Sequence, residues 1–114
     1  MKIDENLIFN RLKSSAKKRK IKFTITKLDL MNLSWPITCP VLGIKLEWNT
    51  GQAEDNSYSI DRINSARGYE PDNIIVISNK ANRMKNNGSL GDLKSIAEFY
   101  ENLEMSSECH LNVI

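Results

Sequence analysis

The sequence predicts a small α+β domain, with a strand–loop–strand–helix unit in its middle and helices at both ends. Three observations carry this. The stretch SYSIDRINSARGYEPDNIIVISNKANRMKNN (57–87) puts two runs rich in β-branched residues on either side of a loop with Gly and Pro, then turns into a polar helical segment. Near the start, Leu7, Ile8, Leu12 and Ala16 recur at three- and four-residue steps. Near the end, Leu90, Leu93, Ile96, Ala97 and Tyr100 form one apolar helical stripe.

The elements follow in order. Asp4 is placed to cap a first helix within a basic segment spanning 1–22, fading near Lys20. IKFTIT (21–26) alternates as a short strand does. Thr26 and Asp29 form a capping box for a second helix, TKLDLMNLSW (26–35), whose Leu28, Met31, Leu33 and Trp35 are expected to face a core before Pro36 stops it. CPVLGIKLEW predicts a turn and an edge strand, and WNTGQAEDNS a polar loop. SYSIDRI and NIIVIS are strands joined by a loop turned by Gly68 and Pro71. Ser78 or Asn79 caps the short helix NKANRMKN, with Ala81 and Met84 expected against the sheet. Ser89 opens a last helix over 89–105, and 106–114 reads as a fraying tail.

At 114 residues the chain suits one domain with a modest core. Its 40% hydrophobic and 26% charged residues place it among ordinary soluble chains. No apolar run approaches the ~18–20 residues of a membrane span, so no membrane partner is expected. MKIDENLIF lacks the regions of a secretory signal, which predicts a cytoplasmic protein. Two cysteines, Cys39 and Cys109, are too few for a disulfide framework or a four-thiolate site, so no structural zinc is expected. Cys39 in CPVLGI reads as a small buried hydrophobe.

The net charge of +2 hides a polarity: residues 1–22 sum to +6 and residues 86–114 to −4. In KSSAKKRKIK (13–22) six of ten residues are basic and no acid interrupts them. This makes Lys17, Lys18, Arg19 and Lys20 candidates for phosphate contacts that bind without reading sequence; a solvated helix surface is the plainer reading. Trp35 and Trp48 read as core or edge aromatics.

The middle unit carries the chemistry. Asp61 offers a carboxylate and Asn82 an amide oxygen, hard ligands of the kind a divalent cation takes. Asn79, Asn82 and Asn86, at steps of three and four, share a helix face, which suits water, a metal or a nucleic acid. Equally, Asp61-Arg62 could be a surface feature at a strand end, with alternation sending the two side chains to opposite faces. Asn73 could simply start a strand through its own turn hydrogen bond.

The order Asp61-Arg62-Ile63, Gly68-Tyr69, Asn73 and Ala81-Asn82-x-x-Lys85, with CPVLGI upstream, resembles the ββα-metal finger of HNH-type (His-Me finger) endonucleases. Within that family it is most similar to a phage-associated branch reading D-R-I … G-Y … N … A-N-x-x-K. The resemblance covers roughly residues 39–87 and makes the middle unit, 57–87, the finger. It implies metal-dependent hydrolysis of DNA by nicking or cutting, with one Mg²⁺ or Mn²⁺ held by Asp61 and Asn82. It further implies that Asn73 buttresses the catalytic residue across the strands and that Lys85 contacts phosphate, with Arg83 adding positive charge. A phage or mobile-element setting follows, hence the host cytoplasm, and a homodimer is left open.

One position departs. The residue after the metal-binding Asp is usually the His that serves as general base, and here it is Arg62, which stays protonated at any working pH. Arg62 could bind the scissile phosphate while the metal activates water; a base could come from elsewhere, His110 being the sole histidine; or the finger could bind nucleic acid without cutting. A further reading is an interaction protein docking through its acidic C-terminal helix.

Overall fold

The computed structural model describes residues 3–49 and 51–113, with side chains as far as Ser106. Helix α1 spans Glu5–Lys18, and the Asp4 carboxylate caps it by accepting from the Leu7 N–H. Its register buries Ala16 completely and sets Ile8, Phe9 and Leu12 against the core. Helix α2, Lys27–Met31, begins with the expected Thr26/Asp29 capping box.

α2 is shorter than the sequence predicts, because Asn32 caps it and the chain then turns so that the Trp35 indole donates to the Leu30 carbonyl at 3.0 Å. Leu30 is the residue it buries. Leu28 and Met31, expected inside, face solvent, while Leu33 and Trp35 do pack on the core.

Strands β1 (Tyr58–Arg62) and β2 (Ile74–Ser78) pair antiparallel, with Ser59 opposite Ile77, Asp61 opposite Ile75 and Arg62 opposite Ile74. Alternation divides the hairpin's two faces. Ile60, Ile74 and Val76 join Ala16, Ile25, Leu30 and Tyr69 in the larger core, beneath α1 and α2. Ile77 packs instead with Cys39, Leu46 and Ala81. Cys39 is buried, as expected, and its sulfur accepts the Ser78 N–H at 3.3 Å. Burial pushes its thiol up, yet the Ser78 side chain and the backbone of Leu42, Ser78 and Val41 hold it below the ordinary value.

Helix α3, Asn79–Lys85, follows β2 without a loop, and the Ser78 hydroxyl caps it by accepting from the Ala81 N–H. Ala81 packs inward as expected, whereas Met84 is exposed. Helix α4, Leu90–Val113, has helical backbone through the segment expected to fray. The side chains of Cys109 and His110 lie outside the described residues.

Two expected strands do not form. Residues 21–26 make one isolated bridge, Phe23 with Tyr69, and residues 39–48 contribute only bridges, since neither segment finds a full strand edge to extend. The bridge at Phe23 still matters: the Tyr69 N–H donates to the Lys22 carbonyl at 2.8 Å and the Thr24 N–H to the Tyr69 carbonyl at 2.9 Å, tying the β1–β2 loop to the end of α1.

Candidate metal and phosphate site

The site grows from the face of β1 that α3 covers. Ser59 and Asp61 are two apart on a strand and point the same way; Asn82 and Lys85 are three apart on α3 and meet them. Asn82 Nδ2 donates to Ser59 Oγ at 2.7 Å. Lys85 Nζ lies 2.9 Å from Asp61 Oδ2 and 3.2 Å from Oδ1, and donates to the Arg62 carbonyl at 2.6 Å. Asp61 is buried, with only 7% of its surface exposed, so this ammonium is its compensating charge.

Arg62, by alternation, leaves β1 on the opposite face, but it sits at the strand end and curls back. Its Nη1 donates to the Ser65 and Arg67 carbonyls at 2.8 and 2.9 Å, and its Nη2 to Asn87 Oδ1 at 3.1 Å. The guanidinium carbon lies 5.6 Å from the centre of the Tyr69 ring. On the far edge of that ring, Arg19 Nη1 reaches the Tyr69 hydroxyl at 3.4 Å. Asp61 and Arg62 thereby line one open cavity of about 230 Å³, together with Arg19, Tyr69, Asn82, Arg83, Asn86 and Asn87. One carboxylate faces three guanidinium groups, so the cavity is suited to an anion.

Several expected site residues take unexpected partners. Asn73, almost fully buried, spends its side chain on the loop: Oδ1 accepts from the Asn64 N–H at 2.9 Å, and Nδ2 donates to the carbonyls of Asn64 and Gly68 at 3.1 and 2.8 Å. It therefore shapes the loop on which Arg62 is pinned. Arg83 lines the cavity and also pairs with Asp55. Of the asparagine row, Asn82 and Asn86 reach the cavity, while Asn79 donates to the Glu54 carbonyl instead. Of the basic run, Arg19 reaches it, whereas Lys17, Lys18 and Lys20 do not.

Sequence reasoning missed Ser59, Asn87 and the part played by Tyr69. Alternation could have found Ser59, two residues before Asp61. Nothing local marks Asn87, which lies 25 residues from the arginine it binds.

Within this largely cationic cavity, Asp61 and Asn82 offer two oxygen donors of the kind a hard divalent ion takes. A carboxylate has about four lone-pair sites, so Asp61 can accept from Lys85 and still ligate. Asn82 uses its amide nitrogen on Ser59, which leaves its oxygen available. Two such oxygens are a typical protein share for Mg²⁺, which keeps several waters. Among the described residues no cluster of three or more His, Cys, Asp or Glu side chains could form an all-protein cage.

No protein-family model matches the chain, and no curated protein matches it in sequence. Among solved structures it is similar to the rare-cutting HNH restriction endonuclease PacI, with a TM-score of 0.60 and 22% identity over 92% of this chain and 82% of that one. The architecture is a small α+β domain whose fold is similar to that of this endonuclease.

Proposed function

We propose that this protein is a divalent-metal-dependent endonuclease that hydrolyses DNA phosphodiester bonds, by nicking or cutting. The observation that carries the reading is the convergence of Asp61, Asn82 and three arginines on one cavity of a ββα frame. The fold shared with an HNH restriction endonuclease supports it. Asp61 and Asn82 would hold one Mg²⁺ or Mn²⁺. The ion, when bound, supplies charge stabilisation for the leaving oxyanion.

The chain's own residues bind and orient the phosphate. A guanidinium has five N–H donors, and Arg62 commits three to the loop and Asn87, so two remain for a phosphate oxygen. Because its other bonds fix its plane, it presents those donors without reorganising. Arg62 does not act as the base. The phage or mobile-element setting belongs to the same reading.

A second reading, a nucleic-acid-binding module that does not cut, is favoured by one contact. Lys85 engages both oxygens of Asp61, the carboxylate the ion would need. Plasmid cleavage separates the two. Wild type, Asp61→Ala and Asn82→Ala are incubated with Mg²⁺, Mn²⁺ or EDTA. Nicking that needs the ion and is lost in both variants, with DNA affinity kept, establishes the nuclease. DNA binding without cleavage under any metal establishes the binding module.

A further inference from the structure

A second hollow, of about 490 Å³, lies on the outer face of α1, lined by Asn10, Arg11, Ser14, Ser15, Lys18 and Arg19. Arg19 lines this hollow and also the cavity of Asp61 and Arg62, so one side chain joins the two. We infer that the two form one path for a nucleic-acid backbone, entering along α1 and passing Arg19 to place a phosphate at Arg62. This rests on the nuclease reading and adds to it which residues guide the strand.

The arrangement of α1 supports the path. Arg11, Ser14, Ser15 and Lys18 are separated by three, four and seven residues, so they form one stripe, while Ile8, Leu12 and Ala16 turn to the core. Cations at both ends of the stripe and hydroxyls between them match a chain of phosphates, which takes charge-assisted bonds from Arg and Lys and neutral ones from Ser. Among the described residues no acidic side chain lines this hollow. Arg19 is held at the junction, with its Nη1 3.5 Å from Ser15 Oγ and 3.4 Å from the Tyr69 hydroxyl.

The same geometry excludes two of the four candidate cations of the basic run. Lys17 is six residues from Arg11, which at about 100° per residue puts it on another side of the helix. Lys20 lies past the helix end with a φ of 56°. Neither lines either hollow. Composition gives all these cations equal standing, whereas the path uses Arg11, Lys18 and Arg19 and leaves Lys17 and Lys20 out.

The test removes two charges in each of two ways. Arg11→Gln/Lys18→Gln and Lys17→Gln/Lys20→Gln carry the same net charge, and all four positions are exposed. Binding of a short fluorescein-labelled DNA duplex is followed in EDTA across a salt series. The first pair should lower the slope of log K against log salt by about 1.8, two phosphate contacts at about 0.9 each, and the second by far less. Equal slopes for the two pairs, or a larger loss in the second, would overturn the path while leaving the nuclease reading in place. Failure of wild type to bind DNA would remove both.

Discussion

Lys85 reaches back from the last turn of α3 to hold both carboxylate oxygens of Asp61, at 2.9 and 3.2 Å, and the carbonyl of Arg62. This ties the end of the helix to the end of β1 and sets an ammonium against a buried carboxylate. Lys85→Ala should therefore destabilise the protein by roughly 2–4 kcal/mol, somewhat below the upper range for breaking a fully buried pair. Lys85→Arg should not restore it, since a planar fork differs in shape from a compact ammonium. Asp61→Asn/Lys85→Met should recover part of the loss, because neither charge is left alone. Urea unfolding of this double variant beside Asp61→Asn and Lys85→Met alone completes the cycle and measures the coupling; additive effects would show that the pair is not acting as one.

Asn73 is expected to be a stability residue before anything else. Its three hydrogen bonds close the loop from Asn64 to Gly68, and a net value near 1 kcal/mol for each gives a cost of about 2–4 kcal/mol for Asn73→Ala. Asn73→Asp keeps the acceptor for the Asn64 N–H and loses both donations, so it should lie close to the alanine variant. Midpoints of urea unfolding test this order.

Gly68 should reject even alanine. A Cβ there would sit 2.4 Å from the Lys22 carbonyl oxygen and 2.7 Å from the Lys22 Cβ, and the backbone at Lys22 is itself fixed by the Tyr69 N–H. Gly68→Ala is expected to cost about 1–3 kcal/mol through overpacking. Gly51→Ala, where the nearest atom is 3.5 Å away, serves as the control and should be close to neutral. Thermal unfolding of the two variants decides.

These cases mark where the sequence stops being legible. β1, β2, α3 and the caps at Asp4, Thr26 and Ser78 follow from alternation and local hydrogen-bond chemistry, which neighbouring residues determine. Gly68 reads locally as a turn residue, but its constraint is a backbone 46 positions away, at Lys22. Asp61 and Asn82 are legible as two oxygen donors, and both do line one cavity. The ammonium between β1 and α3 is not, because a lysine near a helix end looks the same whether it meets phosphate or a carboxylate. IKFTIT fails for a related reason: alternation describes a strand's two faces and says nothing of whether a neighbouring edge exists.

The loop also carries a pH-dependent contact. Arg67 Nη2 donates to Asp72 Oδ1 at 2.7 Å, and this bond holds the Asp72 carboxyl below its ordinary value. A depressed folded value means that the contribution is present above the ordinary aspartate range, near 3.9, and is lost as pH falls through the folded one. The difference in urea midpoint between wild type and Asp72→Asn should thus be small but measurable at neutral pH, close on acidification, and shrink in salt because both groups are largely exposed. A gap unchanged down to about pH 2 would assign the effect to something other than this carboxylate.

Placing at position 62 the histidine that the resemblance to HNH fingers would lead one to expect should not improve this protein. Arg62 is a loop anchor as well as a cation: Ser65, Arg67 and Asn87 all accept from it, and its guanidinium carbon lies 5.6 Å from the centre of the Tyr69 ring. An imidazole is shorter, has two nitrogens, and cannot supply that fork. Arg62→His leaves two carbonyls and an amide oxygen without their donor, and is expected to destabilise by about 2–4 kcal/mol. On the nuclease reading proposed above, cleavage by the variant should fall rather than rise, and Arg62→Lys should sit between the two in stability. Urea midpoints and plasmid nicking on the same preparations test both parts. A histidine variant as stable as wild type and faster at cutting would mean that the position is held for a base, and that the loop does not depend on its arginine.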